Sequence, residues 1–291
     1  MRDPEDCRDD AMELLQITVR LPQAFCDALI GTLHDLGFQG MQELESGIRV
    51  WMSDDPQSLH RLGRIQEYLG SLRQVQHELE FTIDVLPTPT SDWVSAVHES
   101  FQPVLVSPRI AIRPSWTGYE PGPDVAVMVI DPKMAFGTGA HETTRLALRL
   151  LDDLFHERRV HSVLDVGCGT GVLSIAAGML KARRIVACDT DPDAVVATEE
   201  NAAINNIELE VLAGSAEDVS GSYDLVLANI NWWVLTKMAP LLAERTAHSL
   251  VLSGITEDRI DALMETYARL GLRESARLYE NEWTAVRLDR F

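Results

Sequence analysis

Apolar and polar residues alternate from Leu14 to Leu21 (LLQITVRL), and apolar ones then recur at Phe25, Leu29, Leu33 and Leu36. The first spacing predicts a half-buried strand. The second predicts a helix, opened by Pro22 and stopped at Gly37. MQELE and GIRVWMS flank Ser46-Gly47, a hairpin signal, and a second helical stripe runs through Leu59, Leu62, Ile65 and Leu69. Alternation returns at Leu79, Phe81, Ile83 and Val85. The order β-α-β-β-α-β predicts a small ferredoxin-like α+β domain over 14–87, behind an acidic tail at 1–13. It holds no glycine-rich phosphate loop, and its simplest use is docking or scaffolding.

Residues 88–118 read as a linker and connecting segment, opening with PTPTSDW (Pro87–Trp93) and continuing through VLVSPRIAIRPSW, which reads as strands broken by prolines. A strand follows at Asp124–Ile130. From Arg159 onward short apolar strands (HSVLDVG, RIVACDT, LEVLAG, YDLVLANI, SLVLSGI) alternate with helices starting near Gly171, Pro192, Trp233 and Asp258. Such repeated βα units predict a doubly wound, mostly parallel Rossmann-like sheet occupying 119–291. The tail alternates on both sides of Glu280–Glu282 and predicts a C-terminal antiparallel hairpin.

Two glycine-rich turns stand close together, DPKMAFGTGAHETT (Asp131–Thr144) and DVGCGTG (Asp165–Gly171). Gly167, Gly169 and Gly171 are spaced G-x-G-x-G between a strand and a helix. A nicotinamide fingerprint places its third glycine one position later and aims the helix at a pyrophosphate. Here Asp165 puts a carboxylate at the start of the turn, which suits a cationic ligand such as the sulfonium of S-adenosylmethionine. Asp189 ends the next strand, 18 residues past Gly171, where a carboxylate accepts hydrogen bonds from both ribose hydroxyls. Asp191 precedes Pro192 and reads as a helix cap. Ser215, Ala216 and Glu217 follow the third strand, where an adenine edge would lie. Asn229 and Ile230 end the fourth, beside the topological switch point of such sheets. The order N-I-N-W there is similar to the N-P-P-Y turn of amino methyltransferases, although Asn229 as a plain helix cap is an open alternative.

Charge narrows the partners. The 291 residues carry a formal net charge of −20, which disfavours direct nucleic-acid binding and favours a basic protein. Cys7, Cys26, Cys168 and Cys188 have no CxxC spacing, and Arg145 stands where a zinc-protease HExxH motif requires its second histidine, so no metal site is expected. The acidic N-terminus and the lack of a long apolar run predict a cytoplasmic chain without a membrane span, and a monomer.

DPKMAFGTGAHETT, LDVGCGTG, ACDTDPDAV and VLANI, in that order, resemble the bacterial methyltransferase family that modifies the eleventh protein of the large ribosomal subunit. Asp92, Trp93, Phe101, Pro103 and Pro114 to Trp116 extend the resemblance upstream. It implies that Thr144, Gly167, Asp189 and Asn229 contact S-adenosylmethionine and that Phe136, Gly137, Thr138 and His141 belong to a lid over its methionine end. It also implies that the ferredoxin-like domain recognises the ribosomal protein. Two departures stand out: Glu142 replaces the usual proline after the histidine, and Asn231, Trp232 and Trp233 replace small and aliphatic residues.

The expected reaction is methylation of lysine or N-terminal amines. Asn229 would orient the nitrogen, His141 is the candidate for taking its proton, and Ile230 and Trp232 would meet the substrate, the latter through a cation–π contact. Glu142 would add charge to the lid. Two other readings stay open: the same chemistry on another protein's lysine or a small amine, and a non-catalytic S-adenosylmethionine-binding module.

Overall fold

A computed structural model of the chain describes residues 14–22, 25–36, 38, 41–44, 46–53, 58–76, 79–88, 102–131, 139 and 141–290. It divides into two compact units, Met1–Ser100 and Phe101–Phe291.

In the first unit the elements run β1 (Leu14–Arg20), α1 (Cys26–Asp35), β2 (Met41–Leu44), β3 (Gly47–Ser53), α2 (Ser58–Val75) and β4 (Thr82–Thr88). The sheet order is β2-β3-β1-β4 with every pair antiparallel, the connectivity of the split βαβ unit. Ile17, Val19, Ile48 and Val50 from the sheet pack against Leu29, Leu33, Ile65 and Leu69 from the helices. Pro87 lies within β4 opposite Leu15. β4 is an edge strand, where a missing N–H costs no ladder bond. Leu59 leaves its expected stripe and is 80% exposed: six residues before Ile65, it sits about 120° round the helix.

The second unit opens with a three-stranded sheet, β5 (Val104–Ser107), β6 (Ile110–Arg113) and β7 (Ala126–Val129). VLVSPRIAIRPSW thus forms two strands, as its pattern predicts, and Pro108 and Pro114 lie just outside them. Next come α3 (Glu142–Glu157), β8 (Ser162–Val166), α4 (Val172–Met179), β9 (Arg184–Asp189), α5 (Pro192–Ile204) and β10 (Glu210–Ala213). The chain closes with β11 (Tyr223–Asn229), α6 (Trp232–Arg245), β12 (Thr246–Thr256), α7 (Ile260–Arg269), β13 (Leu272–Glu280) and β14 (Trp283–Arg290).

These strands form one sheet of order β10-β9-β8-β11-β12-β14-β13. The first five are parallel, and β14 runs antiparallel between β12 and β13. Neighbouring residues feed opposite cores. Val163, Leu225, Leu227 and Val251 face the layer of α3 and α4, whereas Leu164, Val226, Leu250 and Leu252 face α6 and α7. Covering both faces is what makes the central strands nearly continuous apolar runs.

Asn201 of α5 and Asn205, its C-cap, tie the small sheet to this helix and to the glycine turn. Asn205 accepts from Val129 N–H at 2.8 Å and donates to Val129 C=O at 2.6 Å, satisfying both backbone groups of an edge residue. Asn201, fully buried, accepts from Asp131 N–H at 3.2 Å and donates to Thr170 C=O at 3.0 Å inside the glycine turn. Asn205→Ala leaves both Val129 groups without this partner and is expected to cost about 2–3 kcal/mol. A urea midpoint unchanged within error would contradict the stapling role.

Candidate active site

The register of the parallel strands sets Ala213 beside Asp189, Val166 beside Cys188, Leu227 beside Asp165 and Asn229 beside Ser253. All the turns that leave the carboxyl edge therefore open on one side of the sheet. Strand order reverses between β8 and β11, which splits the outgoing helices to opposite faces and leaves a crevice there.

The glycine turn fills the β8 side of that crevice. Gly167, Gly169 and Gly171 hold φ of 72°, 56° and 78°, the left-handed region that favours glycine. A Cβ on Gly167 would lie 2.4 Å from Ile230 Cγ2 across the switch point. The bare backbone is thus a cradle that any side chain would fill. Gly254, near the end of β12 where its register with β14 is interrupted, has φ 82°, and a Cβ there would lie 2.5 Å from Ile230 C=O and 3.4 Å from Asn229 Oδ1. Both walls beside Asn229 and Ile230 are therefore kept free of side chains.

The acids separate by role. Asp189 Oδ2 accepts from Gly169 N–H and Oδ1 from Asp191 N–H, both at 3.0 Å. Each oxygen keeps a second lone pair for a hydroxyl donor. Asp191 caps α5 by accepting from Asp193 N–H at 2.9 Å, as its place before Pro192 predicts. Asp165 does not stand open at the turn. It is 1% exposed, and its Oδ2 accepts from Ser174 Oγ–H at 2.6 Å and Ser174 N–H at 3.1 Å in the first turn of α4. Its Oδ1 is buried without a partner among the described residues. Burial pushes this carboxyl up to about 6 against the Ser174 hydrogen bonds. Beyond β10, Gly214 N–H donates to Asp189 C=O at 2.8 Å. Ser215 N–H is bound to Asp218, and Ala216 is buried in the core.

Phe136, Gly137 and Thr138 lie outside the described residues. From His141 onward the chain is anchored tightly. His141, not a threonine, is the N-cap of α3: Nδ1 accepts from Thr143 N–H at 3.3 Å and lies 2.8 Å from Thr143 Oγ1. Thr143 and Thr144 are buried in the first turn. Ser253 Oγ–H donates to Thr143 C=O at 2.8 Å, and Asn229 Nδ2 donates to Thr144 Oγ1 at 3.3 Å. The start of α3 is thereby fixed to the carboxyl ends of β11 and β12. Sequence reasoning missed Ser253, whose signal was a hydroxyl residue and a glycine closing a strand.

The C-terminal hairpin clamps the same turn of α3 from another side. Glu280 accepts from Arg145 Nη2 at 2.5 Å and pairs with Arg149 at 3.3 Å, and Asn281 Nδ2 donates to Glu142 Oε1 at 3.1 Å. The rings of His141 and Trp283 meet edge to face at 5.3 Å. Burial raises the Glu142 carboxyl, but hydrogen bonds and the charges of His141 and Arg145 outweigh it and hold the group below its ordinary value. The charge expected to add to the lid is engaged by Arg145 and Asn281. Trp232 is corrected in the same way. It packs partly buried against the α6–α7 core, and Arg259 sits 4.9 Å above its ring, so that face already holds this protein's own cation. Trp233 is half exposed.

A doubly wound sheet of this order, with a glycine turn after its first strand, an acid after the second and asparagine after the fourth, defines the chain as a methyltransferase-type α/β protein. Residues 15–290 match the family described as ribosomal protein L11 methyltransferase (PrmA). Proteins named ribosomal protein L11 methyltransferase from Geotalea uraniireducens and Geobacter sulfurreducens are 42% and 36% identical to it. The first alignment covers 93% of this chain and 96% of the relative, the second 87% and 85%. A crystal structure titled ribosomal protein L11 methylase, from Lactobacillus delbrueckii subsp. bulgaricus, superposes with a TM-score of 0.61 at 30% identity, covering 65% of this chain and 99% of that one. The chain belongs to the ribosomal protein L11 methyltransferase family.

Asp165 gives a pH test with a definite sign. Its carboxyl keeps its proton to about pH 6 when folded, against an ordinary 3.8. Between those values the folded state binds more protons, so stability falls as pH rises through the window. Asp165→Asn removes that loss. Its stability relative to wild type should rise by about 2 kcal/mol between pH 4 and pH 6.5, read from urea unfolding. A difference independent of pH would contradict the inward placement.

Proposed function

We propose that this protein transfers methyl groups from S-adenosylmethionine to lysine or N-terminal amines of ribosomal protein L11. The observation that carries the reading is the Asn229–Thr144 hydrogen bond at the switch point. It commits the amide nitrogen and leaves Oδ1, beside Gly254, as the acceptor for an amine N–H.

The residues present fit the cofactor. Gly167, Gly169 and Gly171 present bare backbone at the turn, and Asp189 has one acceptor site on each oxygen for the ribose hydroxyls. Ser215 and Ala216 border the adenine position. Asp165 lies beneath the turn, and its buried Oδ1 has no hydrogen-bond partner among the described residues. When bound, S-adenosylmethionine supplies an electrophilic methyl group on a cationic sulfur.

The chain must then present a neutral amine. A lysine, with a pKa of about 10.4, costs roughly 4.6 kcal/mol to deprotonate at pH 7, while an α-amine near 7.8 costs about 1 kcal/mol. Asn229 Oδ1 orients the nitrogen, and Ile230 walls the crevice. Alignment of this kind contributes on the order of 7–11 kcal/mol. His141 is assigned positioning rather than proton transfer, because Nδ1, the atom that would accept a proton, already accepts from Thr143 N–H. The first unit is assigned to recognition of the basic substrate, with a net charge of −20 steering the encounter. Glu142 and Trp232, the departures that suggested another substrate, are engaged within the chain and give that reading no support.

Purified L11 and methyl-labelled S-adenosylmethionine test the proposal. Label should appear on L11 amines, and Asn229→Ala should lower turnover by about 100-fold while cofactor affinity stays within a few-fold. An unlabelled L11 with cofactor bound would overturn the substrate. Undiminished turnover in the variant would overturn the role of Asn229.

A further inference from the structure

At the amino edge of the large sheet, opposite the glycine turn, the C-terminal ends of α3 and α4 border a half-open surface cavity of about 370 Å³. Its rim carries Arg158, Arg159, His161, Lys181 and Arg183, with Phe155 and Leu180 forming apolar wall. The five-residue strand β8 separates this edge from Gly167 by about 16 Å, so the cavity is distinct from the methyl-transfer site.

The charges here run against the rest of the molecule. Arg158 is partly neutralised by Asp289 at 3.7 Å and donates to Ser249 Oγ. Arg159, Lys181 and Arg183 have no side-chain hydrogen bond or ion pair among the described residues, and all three are exposed. One carboxylate, Asp224, borders the rim, where it accepts from His161 and Ser162 N–H and pairs with His248. It leaves the three cations Arg159, Lys181 and Arg183 in excess, and like charges gathered in this way favour an anion among them. The helix dipole accounts for Arg158, the C-cap of α3, and for Lys181, just past α4. It does not account for Arg159 and Arg183, which precede strands.

Lys181 is held there at a backbone cost. Its N–H donates to Gly178 C=O and Ala182 N–H to Ala177 C=O, each at 3.0 Å, which is a Schellman closure of α4. The residue at this position adopts φ 78°, where glycine is the usual occupant, yet it is a lysine. The helix stop keeps an ammonium at the rim where a glycine would serve the backbone better.

We propose that this cavity binds a phosphate-bearing ligand of nucleotide size. Arginine forks match phosphate oxygens in a bidentate manner, and lysine adds a point charge. Phe155 and Leu180 offer apolar surface to the ligand's non-phosphate part. The volume lies in the range of small-molecule sites and is too small for a nucleic-acid strand.

The test is calorimetric titration of the full chain with ADP at low ionic strength. Saturable binding with a Kd below about 1 mM is expected. It should weaken at least tenfold in Arg159→Ala/Lys181→Ala/Arg183→Ala, and stay unchanged in Arg64→Ala/Arg73→Ala/Arg269→Ala, which removes three exposed cations elsewhere. Absent binding, or equal loss in the two triple variants, would overturn the proposal. So would retention of RNA oligonucleotides with ADP silent, which would make the patch a nucleic-acid surface. Methyl transfer by the first triple variant separates the two sites: it is expected to match wild type, so failure of ADP to bind would leave the proposed activity standing.

Discussion

The parallel pairing of β8 with β11 is the constraint on which the site rests. At that seam the strand order turns back, one helix leaves for each face of the sheet, and the two strand ends are left facing each other. Gly167 and Ile230 meet across it so closely that a single methyl group on Gly167 would close the gap. Asp189 on the next strand braces the glycine turn through Gly169 N–H while keeping acceptor sites open. Site and support share the same few atoms.

A second layer of contacts brings distant chain segments to the seam. Thr144 and Asn229 are 85 residues apart, and Arg145 and Glu280 are 135 apart. The terminal hairpin, with β14 inserted between β12 and β13, places Glu280, Asn281 and Trp283 against the first turn of α3. An exposed ion pair contributes little, but Glu280 and Arg145 are largely shielded and share their charges with Arg149 and Glu142. The hairpin that distinguishes this sheet from a plain dinucleotide-binding one also fixes the helix that closes the site.

Local chemistry made much of this legible before any coordinates. Short apolar strands alternating with helices specified the doubly wound sheet, and alternation broken by Ser46-Gly47 specified the small antiparallel one. Asp189 and Asp191 could be told apart because proline follows only the second. What sequence could not show is direction. Asp165 turns inward because Ser174, one turn into α4, offers it two donors. Trp232 faces Arg259 because α7 starts next to α6. His141 caps α3 because its ring nitrogen reaches Thr143 N–H. The basic cavity was hidden for a related reason: its cations come from two separate runs, Arg158–His161 and Lys181–Arg183, that meet only after folding.

The most direct test is calorimetric titration of S-adenosylhomocysteine, the demethylated cofactor, into wild type and Asp189→Asn. A carboxylate holding two ribose hydroxyls predicts saturable binding at one site and a loss of at least about tenfold, or 1.4 kcal/mol, when the charge is removed. Equal affinity in a variant whose unfolding midpoint is unchanged would place the cofactor elsewhere and contradict the assignment of the carboxyl edge.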